Sequence, residues 1–370
     1  MRKRNKWFVL ILAVLVFSVF MGCAKTGGNE DGGKTPVSDP GTSASSALPE
    51  KKPKLVVISN RSFGDKGPID SQSAVLPEIE SMGFETKTLE SLSADVFEED
   101  IRAMAKAGYD VIVTSFPPVS EAVVSVAKDY PDVKFASIYQ FTNAGDDKIS
   151  NIWSTEYKAQ EMLYLVGCCQ GKLTKTNKVG IISGQETASS NAGINGYMDG
   201  VMAANPECEV EFMFAGTYDD PTIGREIALA MINKGIDVIA TSAGRTSTGV
   251  VEACQENGVM MIVDNGDFYD LGNNAMVTYF LTDFGQVVKQ SAIDYLNGEF
   301  KGGEHTIMSI FNGGAVVKWD LADRFIENNP DKKDLIKNAV QFAKDQEEKV
   351  ISGEVVVEFK PDTPEAIRRD

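Results

Sequence analysis

Beyond Lys54 the chain alternates short apolar runs with stretches whose apolar residues recur every three or four positions. Leu55 to Ile58, Asp110 to Thr114, Lys134 to Ile138, Lys178 to Ile182, Glu209 to Phe214, Asp237 to Ala240 and Met260 to Val263 read as strands. Most of these runs are rich in Val and Ile and apolar nearly throughout, which suits strands buried on both faces of a sheet. Ser71 to Met82 reads as a helix despite Pro77, as do Val119 to Lys128, Glu156 to Leu173, Ala192 to Ala204, Thr248 to Glu256 and Asp283 to Asn297. Another helix is predicted to start at Asp219-Asp220-Pro221, where an Asx cap precedes a proline at the first helical position. Strands alternating with helices predict an α/β protein of parallel sheets covered on both faces. Two such runs, divided near residue 142, predict two doubly wound lobes. A short strand at Glu354 to Val357 is expected to pack on the second lobe.

The N-terminus follows a different pattern. Arg2, Lys3, Arg4 and Lys6 precede an apolar run from Trp7 to Met21, shorter than the roughly 20 residues a spanning helix needs. This is the export-signal pattern, and residues 1–22 read as a signal peptide rather than a retained anchor. Phe20-Met21-Gly22-Cys23 resembles a bacterial lipobox, with Phe20 where Leu is usual, so Cys23 is expected to carry lipid. Residues 24–53 are Gly, Ser, Pro, Asp and Lys with almost nothing apolar, a flexible tether between membrane and body.

Charge and composition narrow the function. The 370 residues include 36 Lys and Arg against 53 Asp and Glu, a formal charge of −17 that repels nucleic-acid backbones. One histidine, His305, leaves little room for zinc sites, serine triads or Cys–His dyads, and it reads as a surface turn. Cys168, Cys169, Cys208 and Cys254 form no CxxC pair and read as buried filler, with no pairing inferable. Neither GxxxxGK[ST] nor GxGxxG after a strand is present, so phosphate-cradling nucleotide use lacks support and no cofactor is expected.

In doubly wound folds ligands bind beyond the carboxyl ends of the strands. The residues there include Asn60, Phe116, Tyr139, Gln185, Tyr218, Gly244, Arg245, Asp264 and Asp267, a set suited to a polar molecule with a flat part. Gly244 to Gly249 opens a helix and reads either as an anion cradle or as a tight turn. Asp264 and Asp267 suit hydrogen bonds to ligand hydroxyls better than a metal. Trp153, near the predicted crossover, is a stacking candidate, and Trp319 a weaker one.

Several segments, in order, resemble the basic membrane protein family of substrate-binding lipoproteins, which includes purine nucleoside receptors of ABC importers. They are Phe63-Gly64-Asp65-Lys66, Ala127 to Ala136, Lys178 to Gly184, Gly216 to Pro221, Ala243 to Thr246 with Gly249, and Val263-Asp264-Asn265. The resemblance covers roughly 54–320. It implies a type I periplasmic-binding fold with three hinge crossovers, the first lobe being 54–142 plus 270–299 and the second 143–269 plus 300–360. It implies a lipid-anchored, extracytoplasmic receptor that hands a nucleoside-like ligand to an ABC permease and performs no chemistry, with Asp65 in its site. The chain departs from the family pattern at Asn60, Tyr139 and Thr282 and lacks the usual Phe after Lys66. Stacking by Phe116, Tyr139, Trp153, Tyr218 and Phe280 is expected to compensate. A sensory ectodomain and an extracytoplasmic nucleoside hydrolase are the alternative readings.

Overall fold

The apolar runs form the strands, and the chain order places them in two sheets. The computed structural model describes residues 51–264, 266 and 268–369; the signal segment, Cys23 and Asp267 lie outside the described residues. The strands are β1 (Lys54–Ser59), β2 (Glu85–Glu90), β3 (Val111–Ser115), β4 (Lys134–Ile138), β5 (Ile152–Tyr157), β6 (Lys178–Ser183), β7 (Glu209–Phe214), β8 (Val238–Ser242), β9 (Met260–Asp264), β10 (Met276–Thr282), β11 (His305–Met308) and β12 (Ala315–Val317). One sheet runs β11-β5-β4-β3-β1-β2 and is parallel throughout. The other runs β12-β10-β9-β8-β6-β7 and is parallel except for β12, which pairs antiparallel with β10. The helices alternate with the strands, so the α/β class and two-sheet architecture agree with the hydrophobic pattern.

The chain passes between the sheets three times: after Tyr157, after Thr282 and after Met308. These passages lie later than the boundaries expected near 142, 269 and 299. The cause is local. The strand Ile152–Tyr157, IWSTEY, and the short strand His305–Met308, HTIM, join the first sheet, although neither has a Val/Ile run to mark it. Strand β10 joins the second sheet, and the helix Phe284–Asn297 that follows covers the first.

Three further expectations change. Ser71 to Met82 is two helices, Pro68–Ala74 and Leu76–Ser81, because Pro77 has no N–H for a helix interior and instead sits in the first turn of the second. Glu354 to Val357 forms no strand. The tail runs on irregularly until Ile367 makes an antiparallel bridge with Val210, sealing the edge strand β7. His305 lies on β11 rather than in a surface turn, its Nδ1 2.8 Å from the Ser154 hydroxyl. The four cysteines are buried and unpaired, and burial raises each thiol's pKa, that of Cys208 to about 11.

Helices Ala159–Leu173 and Ala188–Ala204 pack with their backbones almost touching. A Cβ on Gly167 would stand 2.0 Å from the Tyr197 carbonyl oxygen, and one on Gly200 2.0 Å from that of Tyr164. The glycine-rich Gly167 to Gly171 stretch is thus a helix-packing surface. This pair, the long helix Lys333–Ser352 and the buried residues of β6 and β8 form one core of the second half. The tail holds the second helix of the pair near its start: Asn191 donates to the Pro361 carbonyl at 3.0 Å and Asn195 to that of Lys360 at 2.9 Å.

Candidate functional site

The carboxyl ends of both sheets face one cavity of about 630 Å3, within the range of small-molecule sites. Its first wall comes from the residues that follow β1, β3, β4 and β5. Phe116 and Tyr139 stand immediately after β3 and β4 with φ of 69° and 55°. Bulky side chains seldom adopt that backbone, which costs about 1–3 kcal/mol per residue and is concentrated at functional sites. The turns aim both rings into one aromatic cluster. Phe116 lies 6.2 Å from Tyr139 and 5.3 Å from Phe284, while Tyr157 lies 5.8 Å from Tyr139 and 5.0 Å from Phe284. Tyr157 is the last residue of β5, and Phe284 opens the helix capped by the Asp283 side chain.

The second wall is more polar. Gly184 follows β6, where a Cβ would stand 2.2 Å from the Tyr218 ring, so glycine is what lets that ring lie over the strand end. Arg245 pairs with Asp219 at 2.8 Å. Asp264, the last residue of β9, accepts from the Ser247 hydroxyl at 2.6 Å and from the Gly244 N–H at 3.1 Å. Burial raises its pKa to about 7 against those two donors, and the charge of Asp65 adds to the rise. Gly244 therefore spends its N–H on Asp264 rather than on an anion. Asp65 accepts from the backbone N–H groups of Gly67, Ile69 and Asp70 at 2.7, 3.2 and 3.1 Å, and burial still leaves its pKa raised.

Contacts between the walls hold the two halves together over the cavity. The Arg61 guanidinium lies 4.0 Å from the Phe116 ring and 5.0 Å from the Tyr218 ring, one from each half. Tyr139 of the first half and Ser189 of the second line the same cavity. At the rim, a Cβ on Gly266 would stand 1.9 Å from the Lys66 carbonyl oxygen, and the Lys66 ammonium lies 5.1 Å from the Phe268 ring.

Of the residues singled out in the sequence, Asp65, Phe116, Tyr139, Gln185, Tyr218, Gly244, Arg245, Asp264 and Phe280 line this cavity. Asn60 and Trp153 do not. The Ser59 hydroxyl folds back on Arg61, accepting its N–H at 3.1 Å, and the turn offers Arg61 and Ser62 to the cavity while the Asn60 Oδ1 is buried. Trp153 is buried in the first core and donates to the Thr306 hydroxyl at 2.9 Å. It shares a face of β5 with Tyr157, but four residues back is roughly 13 Å along the strand. Arg61, Tyr157, Phe284 and Ser189 were not selected from the sequence; Arg61, one residue beyond Asn60, was the most visible of them. Among the described residues no three His, Cys, Asp or Glu side chains converge where a metal ion could sit.

Known proteins share this fold. Among solved structures, a solute-binding protein of an ABC transporter system from Aeropyrum pernix K1 superposes with a TM-score of 0.72 at 21% identity, covering 82% of this chain and 92% of that one. A second, from Conexibacter woesei DSM 14684, superposes with a TM-score of 0.65, also at 21% identity, covering 82% of this chain and 98% of that one. By sequence the chain is 27% identical over 288 residues to the ABC transporter nucleoside-binding protein BmpA of Lactococcus lactis subsp. cremoris (strain MG1363), covering 73% of this chain and 77% of the relative. It is 23% identical over 369 residues to basic membrane protein A2 of Borrelia garinii subsp. bavariensis, covering 99% of this chain and 100% of the relative. Residues 52–360 match the family model for PnrA-like ABC transporter substrate-binding proteins, and the chain belongs to that family.

Proposed function

We propose that this protein is a lipid-anchored receptor on the outer face of the cell membrane. It closes two halves over a polar small molecule with a flat ring, a purine nucleoside or a related compound, and presents it to an ABC permease. The cavity carries the reading. It lies where both sheets end, one wall is a cluster of four aromatic rings, and the other offers hydroxyl, amide and carboxyl groups. A stacked ring would meet the first wall and its polar substituents the second. Membership of the ABC substrate-binding family supports delivery to a permease, and the name of the Lactococcus relative supports a nucleoside. Three passages between the sheets suit a hinge that opens and closes as the ligand enters and leaves. The anchoring rests on the sequence around Cys23.

Thermal unfolding tests the reading, with the protein screened against purine and pyrimidine nucleosides, free bases, amino acids and sugars. A ligand at 100 times its dissociation constant adds about 2.7 kcal/mol of stability, which raises the melting temperature by several degrees. The reading expects guanosine, inosine, adenosine or a related ring compound to do so. Shifts confined to amino acids or sugars would remove the ring-binding reading, and no shift with any compound at millimolar concentration would remove the receptor reading itself.

A further inference from the structure

Two cations, Arg61 and Arg245, line the cavity among the described residues, and they are not equivalent. Arg245 has its counter-ion in Asp219 at 2.8 Å. Arg61 has no ion pair and no side-chain hydrogen bond among the described residues; its partners are the faces of two aromatic rings. Asp65, whose charge acts on Arg61 without pairing with it, already accepts three backbone N–H groups. Arg61 is exposed and lines the cavity, and partial desolvation lowers its pKa from the ordinary value. A guanidinium has five N–H donors in its plane and none on its faces. The Phe116 and Tyr218 ring faces, 4.0 and 5.0 Å from the guanidinium carbon, offer no lone pair to those donors, so the in-plane edge is the part left for a partner. That edge matches a carboxylate or phosphate, which it grips through two parallel hydrogen bonds.

We propose that the ligand carries an anionic group on its flat ring system, bound by the in-plane edge of Arg61 while the ring packs against Tyr139, Tyr157 and Phe284. The proposal rests on the receptor reading and narrows its ligand to ring compounds bearing a carboxylate or a phosphate. A neutral ring compound leaves the guanidinium edge without a charged acceptor and forgoes the stronger, charge-assisted pair of hydrogen bonds. The two rings beside Arg61 come from opposite halves, so closing the halves brings Tyr218 against the same guanidinium that meets the anionic group. The anionic group therefore contributes to closure as well as to affinity.

Isothermal titration of the full protein against matched pairs tests this: guanosine with guanosine 5′-monophosphate, uracil with orotate, and indole with indole-3-acetate. In at least one pair the anionic member should bind at least tenfold more tightly, a ratio in the range of charged hydrogen bonds. The phosphate pair and the two carboxylate pairs separate the two anion types. Arg61→Gln should abolish the preference, and Arg61→Lys, which keeps the charge but not the fork, should retain part of it; far-ultraviolet circular dichroism checks that both variants fold. The proposal is overturned if the neutral member binds as tightly in every pair, or if Arg61→Gln keeps the preference. If guanosine binds and no anionic member gains, the ligand class falls and the receptor reading stands. If no member of any pair binds and the thermal screen is also silent, both fall.

Discussion

Asp264 should make the stability of this protein fall as pH rises toward neutrality, and replacing it by Asn should remove that dependence. The carboxyl is fully buried at the end of β9, and its pKa rises from 3.8 to about 7 in the folded protein. Between those values the folded state holds a proton that the unfolded chain has released. Stability from this group is therefore greatest at low pH, declines as pH rises through the window, and levels off above about 7. The full difference corresponds to about 4 kcal/mol, of which about 2.3 kcal/mol falls between pH 5 and 7. Many other acids titrate in a chain of charge −17, so the informative quantity is the difference between wild type and Asp264→Asn. Asn keeps the volume and one oxygen for the Ser247 hydroxyl, but its amide faces the Gly244 N–H and costs a roughly pH-independent amount. Urea unfolding at pH 5, 6, 7 and 8 measures the difference directly, provided the two proteins share an m-value. Wild type should lose about 2–3 kcal/mol relative to the variant between pH 5 and pH 8. A difference constant to within about 1 kcal/mol over that range would refute the reasoning, because Asp264 would then be ionised throughout.

Two further substitutions separate the site from its support. Gly184→Val should push the Tyr218 ring away from the end of β6 and from Arg61, lowering the affinity for the compound found in the thermal screen by about tenfold or more, with unchanged affinity counting against the close approach. Trp153→Phe should cost about 1–2 kcal/mol in urea unfolding through the lost hydrogen bond to Thr306 and lost packing, with ligand affinity unchanged; weakened binding at constant stability would place Trp153 in the cavity instead.

The central strands were legible because they are buried on both faces and must be apolar throughout. Strands β1, β3, β4, β6, β8 and β9 are such runs, and the residues just beyond them supplied most of the cavity. Of the edge and crossover strands β7 was read, but β2, β5 and β11 escaped for the same physical reason. Strand β2, ETKTLE, is largely exposed and carries no apolar alternation, and β5 and β11 are read only through their pairing with each other and with β4. Missing β5 had a direct cost. Trp153 reads from the sequence as a stacking candidate near a crossover, whereas its strand buries it and brings Tyr157 to the cavity in its place. Arg61 was hidden differently: a turn one residue long decides whether Asn60 or Arg61 faces inward, and hydrophobic period does not reach that resolution. The pKa of Asp264 depends on distant parts of the chain closing around it, which no local pattern records.

The late arrival of β11 and the helix before it bears on how the chain reaches this fold. Strands β1 to β5 are complete by Tyr157, yet the face they share with Trp153, Val113 and Ala136 is covered by Phe284, Val287, Val288 and Ala292. The register that adds β11 pairs His305 with Ser154, across nearly half the chain. Nearly the whole second sheet, β6 to β10, is threaded into that interval. Its β6–β9 portion can assemble from contacts local to one continuous segment, whereas the N-terminal sheet, partly covered by Ile69, Leu76 and Ile79, waits for residues from 284 onward before its apolar face is fully covered. Such non-local closure slows folding and prolongs the life of partly covered intermediates. Cutting the chain after Tyr157 would leave that face without the helix Phe284–Asn297, so the half that begins first in synthesis cannot be completed until most of the second sheet has been made.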